Sequence, residues 1–260
     1  MDFLTNNGIR FRTTGDGKLV PILVSFSIKE GSPILSQLIR DFRLSPIITP
    51  VYSDQELYQA ELLWFTPKKQ HIEILNTCEA FTYSCRRIDA RGISRARHEE
   101  QILSLCIQSE PKIGGKTALW ASTTGFSEVY ADRRLRELVC SYELKHVNFA
   151  PIYLPNGSAS ENLFQLTTDT HVCKEAIVLG NGEREIQCPL CGKSQYAVDR
   201  TYQPRLNKRY LDLESDLFIT ERIFGEGIAR PLYFISQRFY RYLKQNGLSA
   251  NVNFIPVITS

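Results

Sequence analysis

Residues 233–257 read YFISQRFYRYLKQNGLSANVNFIPV, and about 104 positions upstream residues 129–152 read VYADRRLRELVCSYELKHVNFAPI. Ser236 aligns with Asp132, Arg238 with Arg134 and Leu248 with Leu144. After one inserted residue, Val252, Asn253, Phe254 and Pro256 align with Val147, Asn148, Phe149 and Pro151. Self-similarity at a fixed spacing marks a repeated structural unit. Each stretch opens on a short apolar strand and meets a residue suited to a helix N-cap, Asp132 or Ser236, whose oxygen can accept from the free N–H groups of the first turn. Apolar side chains follow at helical spacing: Leu135, Leu138 and Val139 in one stretch, Phe239, Tyr242 and Leu243 in the other. Asn246-Gly247 is a helix stop, because glycine tolerates the left-handed conformation there. The segments VNFAPIYL and VNFIPVI then alternate like strands. The unit is therefore strand–helix–strand. A fainter third version has Ser32 as cap, Leu35, Leu38 and Ile39 as apolar stripe, Leu44 at the helix end and Pro50-Val51 as strand.

The pattern predicts an α+β fold of repeated strand–helix–strand units on mixed sheets. At 260 residues the chain can bury a substantial core. The polar, turn-rich LPNGSASEN at 154–162 marks a boundary between an N-terminal lobe, 1–160, and a C-terminal lobe, 161–260. Elsewhere, LVPILVSFSI at 19–28 reads as a buried strand, 57–66 as a strand or short helix, 71–75 and 117–121 as strands, and 99–108 as a helix with Ile102, Leu103, Cys106 and Ile107 inward.

A formal charge of +3 and a pI near 8.4 argue against a dedicated nucleic-acid or membrane partner. No apolar run approaches the length of a membrane span, and the start MDFLTNNGIRFR lacks the layout of a signal peptide. Seven scattered cysteines without an export signal point to reduced thiols in a cytoplasm.

The sharpest motif is Cys188-Pro-Leu-Cys191-Gly192-Lys193, a zinc knuckle in which a tight turn aims both sulfurs at one ion. His171 and Cys173 stand upstream, with VLGNGERE able to form a hairpin between the pairs, so His171, Cys173, Cys188 and Cys191 would make one structural zinc site. Two alternatives stay open: a knuckle without metal, with Cys173 a core thiol and His171 on the surface, or thiol redox chemistry, which needs the motif at a helix N-terminus.

Gly114-Gly115-Lys116-Thr117 resembles the end of a phosphate-binding loop, but Glu110 stands where such a loop needs its first glycine. The run RRIDARGISRAR holds Arg86, Arg87, Arg91, Arg95 and Arg97, which form either a solvated face or a contact surface. None of the four histidines, at 71, 98, 146 and 171, stands in a recognisable catalytic arrangement, and no serine or cysteine has an activating context.

Residues 188–258 resemble the double-CXXCG motif proteins, a family that includes immunity proteins of bacterial contact-dependent toxin systems. CPLCGK, LDLESDLF, a short apolar strand, ISQRF, YLKQNGL and VNFIPV follow that family's order. The chain departs from it in lacking the first CxxCG, for which His171-x-Cys173 is the nearest substitute. The resemblance implies a cytoplasmic, non-catalytic immunity protein that neutralises a cognate protein toxin, with the metal holding a lobe in place. Arginine and tyrosine are favoured interface anchors, so the arginine run together with Tyr202, Arg205 and Tyr210 is the expected partner surface. The alternative is a zinc-stabilised nucleic-acid-binding or regulatory protein, prompted by Arg200, Arg205, Lys208 and Arg209 beside the knuckle.

Overall fold

The computed structural model describes residues 2–14, 23–26, 28, 32–42, 51–67, 69–70, 72–85, 87–88, 94–95, 98–112, 116–122, 128–180, 183–197, 203–221, 224 and 230–260. The chain forms two compact units, Met1–Thr49 and Pro50–Ser260. The first holds α1 (Asp2–Asn6), an antiparallel pair β1 (Phe11–Thr14) and β2 (Leu23–Phe26), and α2 (Pro33–Phe42). In the fainter version of the unit, α2 follows Ser32 and buries Leu38. Its Leu44 and Pro50 lie outside the described residues, and Val51 is exposed.

The second unit begins with α3 (Asp54–Gln59), β3 (Leu62–Pro67), β4 (Lys69–Gln70), α4 (Thr77–Ala80), β5 (Phe81–Ser84), β6 (Arg87–Ile88), β7 (Ser94–Arg95), β8 (His98–Gln101) and β9 (Leu119–Ser122). It continues with β10 (Val129–Asp132), α5 (Arg133–Ser141), β11 (Asn148–Tyr153), β12 (Ala159–Thr167), β13 (His171–Val172), a 3-10 turn at Lys174–Ala176, β14 (Arg184–Gln187) and β15 (Ser194–Ala197). Last come β16 (Arg205–Leu206), a 3-10 turn at Lys208–Tyr210, β17 (Leu217–Thr220), β18 (Tyr233–Ser236), α6 (Gln237–Gln245), β19 (Val252–Pro256) and β20 (Ile258–Thr259).

Two five-stranded mixed sheets carry this unit, in the orders β11-β12-β10-β9-β4 and β19-β3-β18-β17-β13. Both are antiparallel except for the pair at one edge, β4 with β9 and β13 with β17, which is parallel. The central strands explain why residues 50–260 hold together. β3, from the N-terminal half, pairs with β18 and β19, while β12 pairs with β10 and β11. A boundary drawn at residue 160 therefore falls inside β12, and the lobes 1–160 and 161–260 each contain a strand of the other's sheet.

Alternation along these strands buries both faces. Leu119, Val129 and Ala131 share one core cluster with Leu63, Phe65, Leu217, Tyr233 and Ile235. On the outer face of the first sheet Trp120, Tyr130 and Leu163 pack with Ile72, Phe81, Leu105 and Ile107. On the outer face of the second, Leu62, Phe218 and Phe234 pack with Val172, Tyr196 and Phe224.

The two helices join the shared core cluster. Asp132 caps α5 by accepting from the N–H of Leu135 at 3.2 Å, and Ser236 caps α6 by accepting from that of Phe239 at 3.0 Å. α5 buries Leu135, Leu138 and Val139, and α6 buries Phe239, Tyr240 and Leu243, with Tyr242 only half-buried and stacked on Tyr142. Full burial of such a side chain stabilises by roughly 2 kcal/mol. Each helix stops in the same way: the N–H of Leu144 reaches the Val139 carbonyl at 3.2 Å, and that of Leu248 the Leu243 carbonyl at 2.8 Å. The turn residue is left-handed in both, Glu143 at φ 49° and Gly247 at φ 67°.

The helix expected over 99–108 is instead β8 followed by a bridge strand. Leu105 and Ile107 are buried and two residues apart, the spacing of a strand face, while Ile102 and Leu103 are each 54% exposed and not inward as a helix would have them.

Candidate metal centre

The knuckle is the turn of a hairpin. β14 and β15 run antiparallel in register from Arg184↔Ala197 to Gln187↔Ser194, leaving residues 188–193 as the connection. Within it the Cys188 N–H donates to the Lys193 carbonyl at 2.9 Å and the Gly192 N–H to the Cys188 carbonyl at 2.8 Å. Gly192 takes φ 73°, which a residue with a Cβ adopts only at a cost, so glycine after the second cysteine is what lets the turn close. Cys188 is buried and Cys191 exposed.

The third sulfur comes from Cys85, which directly follows β5 about a hundred residues earlier. The Sγ atoms of Cys85, Cys188 and Cys191 all lie within 4.8 Å of one another. Thiolates around one tetrahedral zinc, each about 2.3 Å from the ion, stand roughly 3.8 Å apart, so small side-chain adjustments convert the cluster into a ligand set. Cys85 also holds a left-handed backbone at φ 55°, a conformation costing on the order of 1–3 kcal/mol in a residue other than glycine. It turns the chain out of β5 where the sulfur must face the knuckle.

The Cys85 thiol so placed resists ionisation. Hydrogen bonding with Cys191, then burial, then the neighbouring Cys188 push the Cys85 thiol up to about 11. A divalent cation reverses this balance, because its charge favours the thiolates and binding releases their protons to solvent. Three sulfur donors select soft or borderline ions over magnesium or calcium.

The expected quartet is thus divided. Cys188 and Cys191 stand together with Cys85, whereas His171 and Cys173 are in no such group among the described residues. His171 is exposed on β13 opposite Ile219, and Cys173 is half-buried against the core cluster of Val172 and Ala176. The parallel pairing of β13 with β17 fixes His171 in the second sheet, and Cys173 directly follows that strand at the start of the 3-10 turn. No local spacing signals Cys85, since the contact depends on two strand pairs far apart in sequence. The segment carrying Cys85 is anchored by Phe81 in the outer cluster of the first sheet, and the hairpin carrying Cys188 by Tyr196 in that of the second. An ion here would tie the two layers.

Of the expected partner surface, Tyr210 is exposed and Arg205 half-buried. Arg87 and Arg95 stand opposite each other on β6 and β7. Arg86, Arg91, Arg97 and Tyr202 lie outside the described residues. Lys208, beside the knuckle in sequence, pairs with Glu61 at 2.7 Å.

The resembling segment LDLESDLF gains a structural meaning. Asp216, nearly fully buried, accepts from the Ser236 hydroxyl at 2.5 Å, from Arg238 Nε at 3.1 Å and from the Lys145 N–H at 2.8 Å, and it also pairs with Arg238 Nη2. Burial works to raise its pKa, but the bonds from Arg238, Ser236 and the Lys145 N–H outweigh it and hold the carboxyl below the usual range. DLF and SQRF are therefore two halves of one clamp at the start of α6. No helix among the described residues is long and apolar enough to cross a membrane. No known protein-family profile matches the chain, and no curated protein matches it in sequence.

Proposed function

We propose that this chain is a cytoplasmic, non-catalytic immunity protein that binds and neutralises a cognate bacterial toxin, with a structural zinc held by Cys85, Cys188 and Cys191. The observation that carries this is the fate of the polar residues in the resembling segments. Asp216, Ser236 and Arg238 bond one another at a helix start, and the knuckle closes a hairpin turn. Residues spent on bracing are what a rigid binding scaffold needs. Zinc is the ion of choice because a closed thiolate site is its ordinary structural role in reducing cells.

The same proposal takes the two sheets as copies of one unit that exchange their central strands. Their registers support it. Asp132, Ala131 and Tyr130 face Leu163, Phe164 and Gln165, as Ser236, Ile235 and Phe234 face Leu62, Leu63 and Trp64. Pro151 and Phe149 face Phe164 and Leu166, as Pro256 and Phe254 face Leu63 and Phe65. One alignment of β3 with β12 satisfies both sets. An interlocked pair of sheets resists deformation, which suits a protein whose affinity depends on a preorganised surface.

The direct test is to express the product of each adjacent reading frame, with and without this chain. Growth arrest by one product, relieved by co-expression of this chain and accompanied by a stable purified complex, is the expected result. Absence of any toxic neighbour, or toxicity that this chain leaves untouched, overturns the proposal.

A further inference from the structure

Three stretches of extended chain lie over the outer face of the first sheet. Residues 72–75 meet 104–108 at the antiparallel bridge Ile74↔Ile107, and the latter meet the end of β11 at the parallel bridge Cys106↔Tyr153. The Leu75 N–H donates to the Cys106 carbonyl at 2.8 Å, the Ile107 N–H to that of Tyr153 at 2.9 Å, and the Tyr153 N–H to that of Leu105 at 2.8 Å. Side chains alternate across such a layer. Ile72, Ile74, Leu105, Ile107 and Ile152 turn in and join the cluster of Trp120 and Tyr130. The same alternation turns Leu75 and Tyr153 outward, 43% and 36% exposed. Ile102 and Leu103 stand at the same end of the layer, their N–H groups both directed at the Ala80 carbonyl, and each is more than half exposed. Large apolar side chains gathered in this way on a surface mark an interaction site.

Charge around them has one sign. Residues 72–80, 98–108 and 151–163, which build this face, hold five glutamates and no lysine or arginine, in a chain with 31 lysines and arginines and a net charge of +3. Glu73 precedes Leu75 by two positions, Glu79 precedes Ala80, and Glu100 precedes Ile102 by two; all three are exposed. None of the ion pairs between described residues involves them. The arginine run follows the opposite end of the β5–β8 pair, at Ser84↔His98, whereas Phe81↔Gln101 stands at the apolar end.

We propose that this face docks a protein partner whose own surface is apolar at its centre and basic around it and, resting on the immunity reading, that this partner is the toxin. Leu75, Ile102, Leu103 and Tyr153 supply the apolar centre, with the tyrosine as its amphipathic anchor. Glu73, Glu79 and Glu100 supply a rim whose charge no neighbour cancels, so it sets the sign of the partner and steers its approach. A second copy of this chain fits poorly, because a two-fold contact sets each surface against itself and would bring two acidic rims together.

The experiment has two arms, both on the full chain. In the first, a synthetic amphipathic helix of leucine and lysine is titrated against it, beside the same helix with glutamate in place of lysine, and amide exchange locates the footprint. The lysine helix alone should bind, more weakly as salt rises, and should slow exchange over 72–76 and 102–108. I102S/L103S and E73K/E79K/E100K should each weaken binding by roughly tenfold or more. R241E, on the exposed side of α6, should leave it unchanged. All these positions are exposed, so the variants should melt with the wild type. No binding, equal binding of the two helices, or affinity unmoved by the substitutions overturns the surface. A dimer of the free chain that I102S/L103S abolishes assigns the face to a second copy and overturns it too. In the second arm, an adjacent product that arrests growth and is neutralised by the wild type should escape E73K/E79K/E100K. Full protection by that variant overturns the toxin's place on this face and leaves the immunity reading standing. Absence of any toxic neighbour removes the immunity reading, and the surface then stands or falls on the first arm.

Discussion

The starts of α5 and α6 use the same arginine and place its carboxylate differently. At α5 the cap residue itself is the acid: Asp132 accepts from the Leu135 N–H and from Arg134 at 2.5 and 2.9 Å. At α6 the cap is Ser236, and the acid, Asp216, stands one strand over at the foot of β17. In the first sheet Ala118 makes the matching bond: its carbonyl accepts from the Asp132 N–H just as the Asp216 carbonyl accepts from the Ser236 N–H. What both solutions keep is one buried carboxylate within reach of an arginine two residues past the cap. Charge balance at the helix start is the constraint, and the residue carrying the charge is free to change. The acid at α6 does more. Asp216 also binds the Lys145 N–H, and its own N–H donates to the Lys145 carbonyl at 3.0 Å, so it ties β17 to the loop after α5. In the first sheet the reciprocal tie is weaker: Thr117 bridges Ser249 and its hydroxyl accepts from the Asn251 side chain at 2.7 Å.

The comparison breaks hardest at Asp216. Its removal leaves Arg238 without a counter-charge and frees the Ser236 hydroxyl and the Lys145 N–H together. D216A should therefore destabilise by about 3 kcal/mol, the lower end for breaking a buried pair because Arg238 is 45% exposed. D132A should cost about 2 kcal/mol, roughly 1 from the cap and the rest from Arg134, which keeps its bond to the Thr117 carbonyl. Denaturant melts of the two variants decide the order, and D132A costing more than D216A would show that the inter-sheet tie contributes little.

A transplant sharpens the comparison. A118D alone puts a second acid beside buried Asp132, and like charges in a buried site repel. D132S alone keeps a cap but deprives Arg134 of the Asp132 carboxylate. The double variant A118D/D132S rebuilds the arrangement of the second sheet inside the first. A favourable coupling of about 2 kcal/mol between the two changes, read from a double-mutant cycle, is the expected outcome. Additive losses would mean that positions 118 and 216 are not equivalent.

How much of this was legible beforehand follows the range of each interaction. The caps at Asp132 and Ser236, the stop at Gly247 and the knuckle turn at Gly192 depend on neighbours within about one turn, and the residue types announce them. Tyr240, and not Tyr242, faces the core, because both fit a helical stripe and only the sheet beneath decides. The pairings of β3 with β18 and of β12 with β10 could not be read at all. Each of β3 and β12 is a short apolar run buried on both sides, with nothing in it to name a partner a hundred residues away. Cys85 escaped for the same reason: its sulfur meets the knuckle only after two independent strand pairs have formed. The segment 99–108 misled because its apolar residues also fit a helix, while the pairing of β8 with β5 selects the strand.

The smallest predicted effect concerns the helix stops. Glu143 and Gly247 occupy the same place after α5 and α6, with φ of 49° and 67°, and each precedes the leucine whose N–H closes the turn. For an L-residue with a Cβ the left-handed region costs roughly 1–2 kcal/mol, whereas glycine enters it without that penalty. Glycine loses more backbone freedom on folding, which offsets part of the gain. E143G should therefore stabilise by about 0.5–1 kcal/mol, and G247A should destabilise by a similar amount. No atom lies within 4 Å of a Cβ built at Gly247, so the second change tests backbone conformation without a steric clash. Opposite signs in the two thermal melts would establish that the two stops are one device written with two residues; the same sign in both would show that Glu143 holds its turn through its side chain instead.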